Sequence, residues 1–132
     1  MFVDTGVWSL ALRRDRPASV PQVGELIRCL ENSQQLFTTG LVLQELLQGF
    51  LGPKAREQII ARFSALPLLV PDRADHIEAA ELRNHCWRSG IQIETIDALL
   101  AQLCIRHRLV LLTADNDFRA IAGRSDLQIW TA

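Results

Sequence analysis

The period of the apolar positions changes repeatedly along this chain. "MFVD" sets Phe2 and Val3 ahead of an aspartate, the pattern of a short strand opening almost at the first residue. Thr5 and Gly6 turn the chain into a brief helix, "VWSLALRR", and the polar "RDRPASVPQ" with its two prolines reads as a surface loop ending near Ser19 or Pro21. Val23, Leu26, Ile27 and Leu30 then recur at helical spacing. "QLFTT" is a second short strand, after which Thr38 or Thr39 can cap a helix, "LVLQELLQGF". Nearly every position of that helix is apolar, which predicts burial on more than one side. Gly49, Gly52 and Pro53 end it, and Ala55, Ile59, Ile60 and Phe63 restore an amphipathic helix.

"PLLVP" is a third strand candidate whose prolines suit its ends. "DRADHIEAAELRNHCWRSG" carries acids early and arginines late, as a helix dipole favours, with Gly90 closing it. "ETIDALLAQLCIRHR" is the clearest helix, with Thr95 as a good N-cap and Asp97 in its first turn. "LVLLT" is an unbroken apolar strand of the kind covered on both faces in a parallel sheet, and "DLQIW" supplies a last one. Strands alternating with helices predict βαβ units: one three-layer α/β/α domain over residues 1–132 with a central, mainly parallel sheet.

Composition narrows this only slightly. The 132 residues are 48% hydrophobic and 22% charged, a globular balance with a net charge of −1 that gives no global attraction to nucleic acid. Cys29, Cys86 and Cys104 are dispersed and odd in number, which reads as reduced thiols in a cytosolic chain. The N-terminal stretch lacks a basic n-region, and no apolar run approaches a membrane span, so a cytoplasmic location is expected.

The chemistry lies in the acids. Ligands of open α/β sheets collect at the carboxyl ends of strands. Asp4 closes the first strand, Asp115 follows "LVLLT", and Asp97 opens a helix facing a strand end. Glu45 sits among leucines about one and a half helical turns past the second strand, still within reach of the same crevice. Each has a simpler reading: Asp4 as a turn cap, Asp97 as a dipole-stabilising acid, and Asp115, Asn116 and Asp117 as a turn cluster. A lone charge such as Glu45 is costly among leucines, however, and four convergent acids repel unless a divalent cation neutralises them. Oxygen-only donors point to Mg²⁺, or Mn²⁺, instead of zinc, and the scattered His76, His85 and His107 read as solvated. Hydrolysis of a phosphodiester is the matching chemistry.

"FVDTGVW", "LVLQELLQGF" and "IETIDALLAQLCIRHRLVLLTADNDFRAIA" together resemble the PIN-domain nucleases, and most closely the VapC-type toxins of bacterial toxin–antitoxin pairs. The resemblance runs through essentially the whole chain. It implies that Asp4, Glu45, Asp97 and Asp115 form a catalytic, metal-binding acidic pocket. Thr5 and Thr113 would be polar support, and Asp117 an additional ligand through water or a supporting acid. It further implies a Mg²⁺- or Mn²⁺-dependent endoribonuclease toxin that cuts structured RNA such as tRNA or a ribosomal RNA loop and so blocks translation. Its expected partners are a second copy of itself in a homodimer and a small VapB-like antitoxin that blocks the pocket. Operator DNA would be reached only through the antitoxin complex. Arg13, Arg14 and Arg16 are the candidate RNA-binding group, with Trp8 and Phe50 as candidate antitoxin contacts. Trp87 and Trp130 read as core or dimer-surface anchors. The alternatives are a PIN nuclease of RNA maturation without an antitoxin and a non-catalytic binding module; a small antitoxin frame upstream separates the first.

Overall fold

The computed structural model describes residues 1–13 and 20–132. Its sheet has three strands, β1 (Phe2–Val3), β2 (Val110–Leu112) and β3 (Gln128–Ile129), in the order β1-β2-β3 and parallel throughout. Phe2 pairs with Leu111, Val3 with Leu112, and Leu111 also with Ile129. Seven helices complete the described chain: α1 (Thr5–Leu12), α2 (Pro21–Glu31), α3 (Gly40–Gly49), α4 (Pro53–Ser64), α5 (Arg73–Arg88), α6 (Thr95–Arg106) and α7 (Asn116–Ala122). The result is the expected three-layer α/β arrangement, a mostly parallel sheet flanked by helices.

Phe2, Val3, Leu111 and Leu112 are fully buried, as a strand covered on both faces requires. The strands anticipated at "QLFTT" and "PLLVP" shrink to single parallel bridges, Phe2 to Phe37 and Thr38 to Leu68. Two local causes limit them. Thr39 caps α3, its Oγ1 accepting from the Val42 N–H at 3.4 Å, so the backbone turns away at once. Pro67 offers a carbonyl to the Thr38 N–H at 3.1 Å but has no N–H to return.

Helix starts also differ from expectation. α1 begins directly at Thr5 with Asp4 in the N-cap position, and α6 has Glu94 as N-cap with Thr95 one residue inside. α6 is the central helix, buried continuously from Ala98 to Cys104. α3 is lined on several sides, with Val42 and Leu46 buried and Leu41, Leu43 and Leu47 half-buried against the core, as its uniform apolarity implied. Gly90 adopts φ +79° just beyond α5, the left-handed conformation that glycine supplies without strain. Cys29, Cys86 and Cys104 are free and buried, and burial pushes the Cys104 thiol up to about 12, which leaves it inert at neutral pH. Trp87, expected as an anchor in the core or at a dimer surface, lies on the surface and is 58% exposed.

One buried acid was not anticipated. The Asp75 side chain is fully buried; it shares a capping box with Asp72 and accepts from Arg106 of α6 at 2.5 Å. This contact fastens the start of α5 to the end of α6, holding in place the helix whose other end carries Asp97. No helix is long and apolar enough to cross a membrane among the described residues.

Candidate metal centre

Five segments contribute to one polar cleft of about 530 Å³: the end of β1, the faces of α1 and α3, the start of α6, and the turn after β2. Asp4, Glu45, Glu94, Asp97, Asp115 and Asp117 line it. The four predicted acids therefore meet, although they are spread over more than a hundred residues of sequence.

Asp4 directs its carboxylate away from helix capping. It occupies the N-cap of α1 with extended backbone, yet its side chain makes no cap hydrogen bond. The carboxylate instead points across to β2, where Thr113 Oγ1 donates to Asp4 Oδ2 at 2.8 Å. The same Thr113 oxygen accepts from the Asp115 N–H at 3.0 Å, and Asp115 Oδ1 accepts from the Asp117 N–H at 2.9 Å. One hydroxyl thus ties the acid of the first strand to the acid turn after the second. Thr5 performs the matching task on the other wall, donating to Glu45 Oε1 at 2.9 Å. Asp115 caps α7 through Oδ1 and also lines the cleft.

Within the cleft the closest set is Asp97, Asp115 and Asp117, each offering an oxygen within 4.8 Å of the others. Asp117, expected as a supporting acid, is a full member of this set, whereas Asp4 and Glu45 stand outside it. Burial is the main cause that raises Asp97 to about 7, followed by the charges of Asp4, Asp115, Glu94 and Asp117. Asp4 is raised too, chiefly by burial and against the hydrogen bond from Thr113. Both shifts have the sign of carboxylates lacking a nearby cation. Among the described residues, no salt bridge reaches the cleft, and Arg13 at its rim is the one basic residue lining it. Clustered hard oxygens without a countercharge could coordinate a divalent cation.

Thr5, Ser9 and Arg13 face the cleft from successive turns of α1 and its cap, a spacing of four that marks one helix face. Ser9 was not singled out from sequence, although that spacing after Thr5 was its signal. Arg14 and Arg16 lie outside the described residues. Arg83 donates from Nε to the Ile93 carbonyl at 2.9 Å, which steadies the segment leading into α6. Trp8 is only 3% exposed, its ring 5.1 Å from Phe63, and it borders an apolar groove of about 640 Å³ with Leu12, Leu26, Leu30 and Ile59. Phe50 is half-buried in a neighbouring cavity with Arg13 and Lys54. The groove is the larger space, but the clustered acids lie in the cleft.

Thr113 supplies a direct check on this geometry. Thr113→Val keeps the side chain's shape and removes its hydroxyl, so Mn²⁺ affinity measured calorimetrically should fall about 10–100-fold, as for other groups that orient metal ligands. Unchanged affinity would detach Thr113 from the site.

The family model described as PIN domain matches residues 1–124. Ribonuclease VapC11 of Mycobacterium tuberculosis is 28% identical over 130 residues, covering 97% of this chain and 96% of the relative. FitAcB from Neisseria gonorrhoeae superposes with a TM-score of 0.73 at 21% identity, covering 98% of this chain and 96% of that one. VapBC2 from Rickettsia felis, solved bound to a DNA fragment from its promoter, gives the same score at 20% identity and the same coverage.

Proposed function

This chain belongs to the PIN-domain family, and on that premise we propose that it is a metal-dependent endoribonuclease, the toxin of a VapC-type toxin–antitoxin pair. The observation that carries the proposal is the convergence of Asp97, Asp115 and Asp117 oxygens within 4.8 Å, beside Asp4, without a paired cation. A Mg²⁺ or Mn²⁺ ion held by these acids supplies the positive charge that polarises a phosphodiester and makes water a better nucleophile. Asp97, Asp115 and Asp117 would hold it, Asp4 would complete the negative field, and Glu45 would orient water or metal from the opposite wall. Thr113 and Thr5 keep the Asp4 and Glu45 carboxylates in fixed rotamers through the bonds at 2.8 and 2.9 Å.

The substrate in this reading is structured RNA, a tRNA or a ribosomal RNA loop, and its cleavage stops translation. Control comes from a small antitoxin. The apolar groove bordered by Trp8, Leu12, Leu26, Leu30 and Ile59 has the lining an amphipathic helix recognises, and it lies between α1, α2 and α4. A homodimer and operator binding through the antitoxin complete the reading.

The test is incubation of total cellular RNA with the purified protein in Mg²⁺, in Mn²⁺ and in chelator, with fresh RNA ends mapped by sequencing. Discrete new ends in either metal and none in chelator are expected. Equal cutting in chelator, or intact RNA throughout, contradicts the proposal.

A further inference from the structure

Among the described residues, six acidic and one basic line the cleft, so even a bound divalent cation leaves this set net negative. Such a field repels a phosphate backbone, and attraction has to come from cations just outside. Resting on the nuclease reading, we propose that the adjoining cavity of Arg13, Phe50, Lys54 and Gln58 is a nucleotide subsite. It takes one unstacked base, with its phosphate, next to the scissile bond of a single-stranded RNA segment.

Three observations lead there. The cavity and the cleft share Arg13, so a backbone leaving the acids crosses that guanidinium first and meets Lys54 next. Both cations can neutralise a phosphate adjacent to the one held over the acids. The cavity measures about 340 Å³, at the small end of ligand pockets, and its walls are mixed. Leu12, Ala55 and Ile59 make it apolar, Phe50 adds an aromatic ring, and Gln58 brings an amide able both to donate and to accept. That combination suits a base: a π-face for stacking, apolar sides, and a polar group for the base edge.

α1 borders both sites, while α4 supplies Lys54, Ala55, Gln58 and Ile59 to the cavity alone. α3 presents Glu45 to the cleft and is followed directly by Phe50, while α1 presents Thr5 to the cleft and Leu12 to the cavity and is followed by Arg13. α1 therefore links the base cavity to the acids, with the Phe50 ring placed where α3 hands over to α4.

The experiment uses fluorescence anisotropy with Ca²⁺ in place of Mg²⁺. One probe is a labelled hexaribonucleotide of mixed sequence, and the other is the same backbone with abasic ribose throughout. Phe50→Leu should weaken binding of the first about tenfold and leave the second unchanged, whereas Phe50→Trp should retain the preference for bases. Lys54→Ala should weaken both probes equally and reduce the salt slope by about one. Melting temperatures establish that each variant is folded. Equal losses on both probes with Phe50→Leu, or none, overturn the subsite and leave the cavity to a protein partner. Base-dependent binding without Mg²⁺-dependent cleavage would instead retain the subsite and reject the nuclease.

Discussion

Asp97→Asn should fold normally and cleave RNA at least about 10³-fold more slowly than the wild type in saturating Mg²⁺. Metal charge contributes several kcal/mol to such a reaction, and each 1.36 kcal/mol is a factor of ten in rate. Asp97 is a member of the closest oxygen set and has Asp4, Asp115, Glu94 and Asp117 as neighbouring charges. The amide keeps the side chain's shape and removes the charge, so a loss of rate reports on electrostatics and not on packing. Asp4→Asn should behave alike, because Asp4 is buried and accepts from Thr113, a bond that an Asn carbonyl oxygen preserves. Initial rates at several Mg²⁺ concentrations separate the cases: weakened metal binding is rescued by excess Mg²⁺, whereas lost chemistry is not. Wild-type rates from either variant would remove that residue from the site.

The second large effect concerns stability without metal, and its sign is unusual for an aspartate. Asp97 rises from an ordinary 3.8 to about 7, so between those values the folded protein holds a proton that the unfolded chain has released. Stability contributed by this group therefore falls as pH rises through that window, and the full penalty stands above about pH 7. Three units would amount to about 4 kcal/mol, and solvent screening of a half-exposed carboxylate reduces this to about 1–2 kcal/mol. Metal-free Asp97→Asn should thus melt roughly 4–8 °C above wild type at pH 8, with the difference vanishing near pH 4. Divalent metal reverses the order, since a ligand at a hundred times its Kd stabilises the wild type by about 2.7 kcal/mol. Calorimetric scans at pH 4, 6 and 8, with and without Mn²⁺, check both signs. A variant less stable than wild type at pH 8 without metal would show that the acids do not repel.

The alternating architecture was legible because the segments with the plainest patterns are those that tertiary structure leaves unaltered. "LVLLT" became a buried parallel strand, and the run around Glu45 became a helix covered on several sides. "QLFTT" and "PLLVP" were overestimated because apolar β-branched content cannot reveal that a cap and a proline cut the ladder short.

For the site, strand ends pointed to Asp4 and Asp115, and the cost of burial pointed to Glu45. Asp117 was harder to rank, since a helix start explains it equally well and its amide does bond to Asp115. Nothing in spacing distinguishes the oxygens that approach within 4.8 Å from those one shell away. Asp75 was invisible for a related reason. An early acid on α5 satisfies the helix dipole by itself, and only packing against α6 reveals its pairing with Arg106. The tryptophans make the same point: Trp8 is buried and Trp87 exposed, although both sit in helices.

The most direct measurement is anomalous diffraction from crystals soaked in Mn²⁺ at pH 8. An ion coordinated by Asp97, Asp115 and Asp117 is expected, absent from crystals of Asp97→Asn. A cleft that stays free of Mn²⁺ at millimolar concentration, or an ion bound only elsewhere on the protein, would contradict the assignment of these carboxylates to a metal.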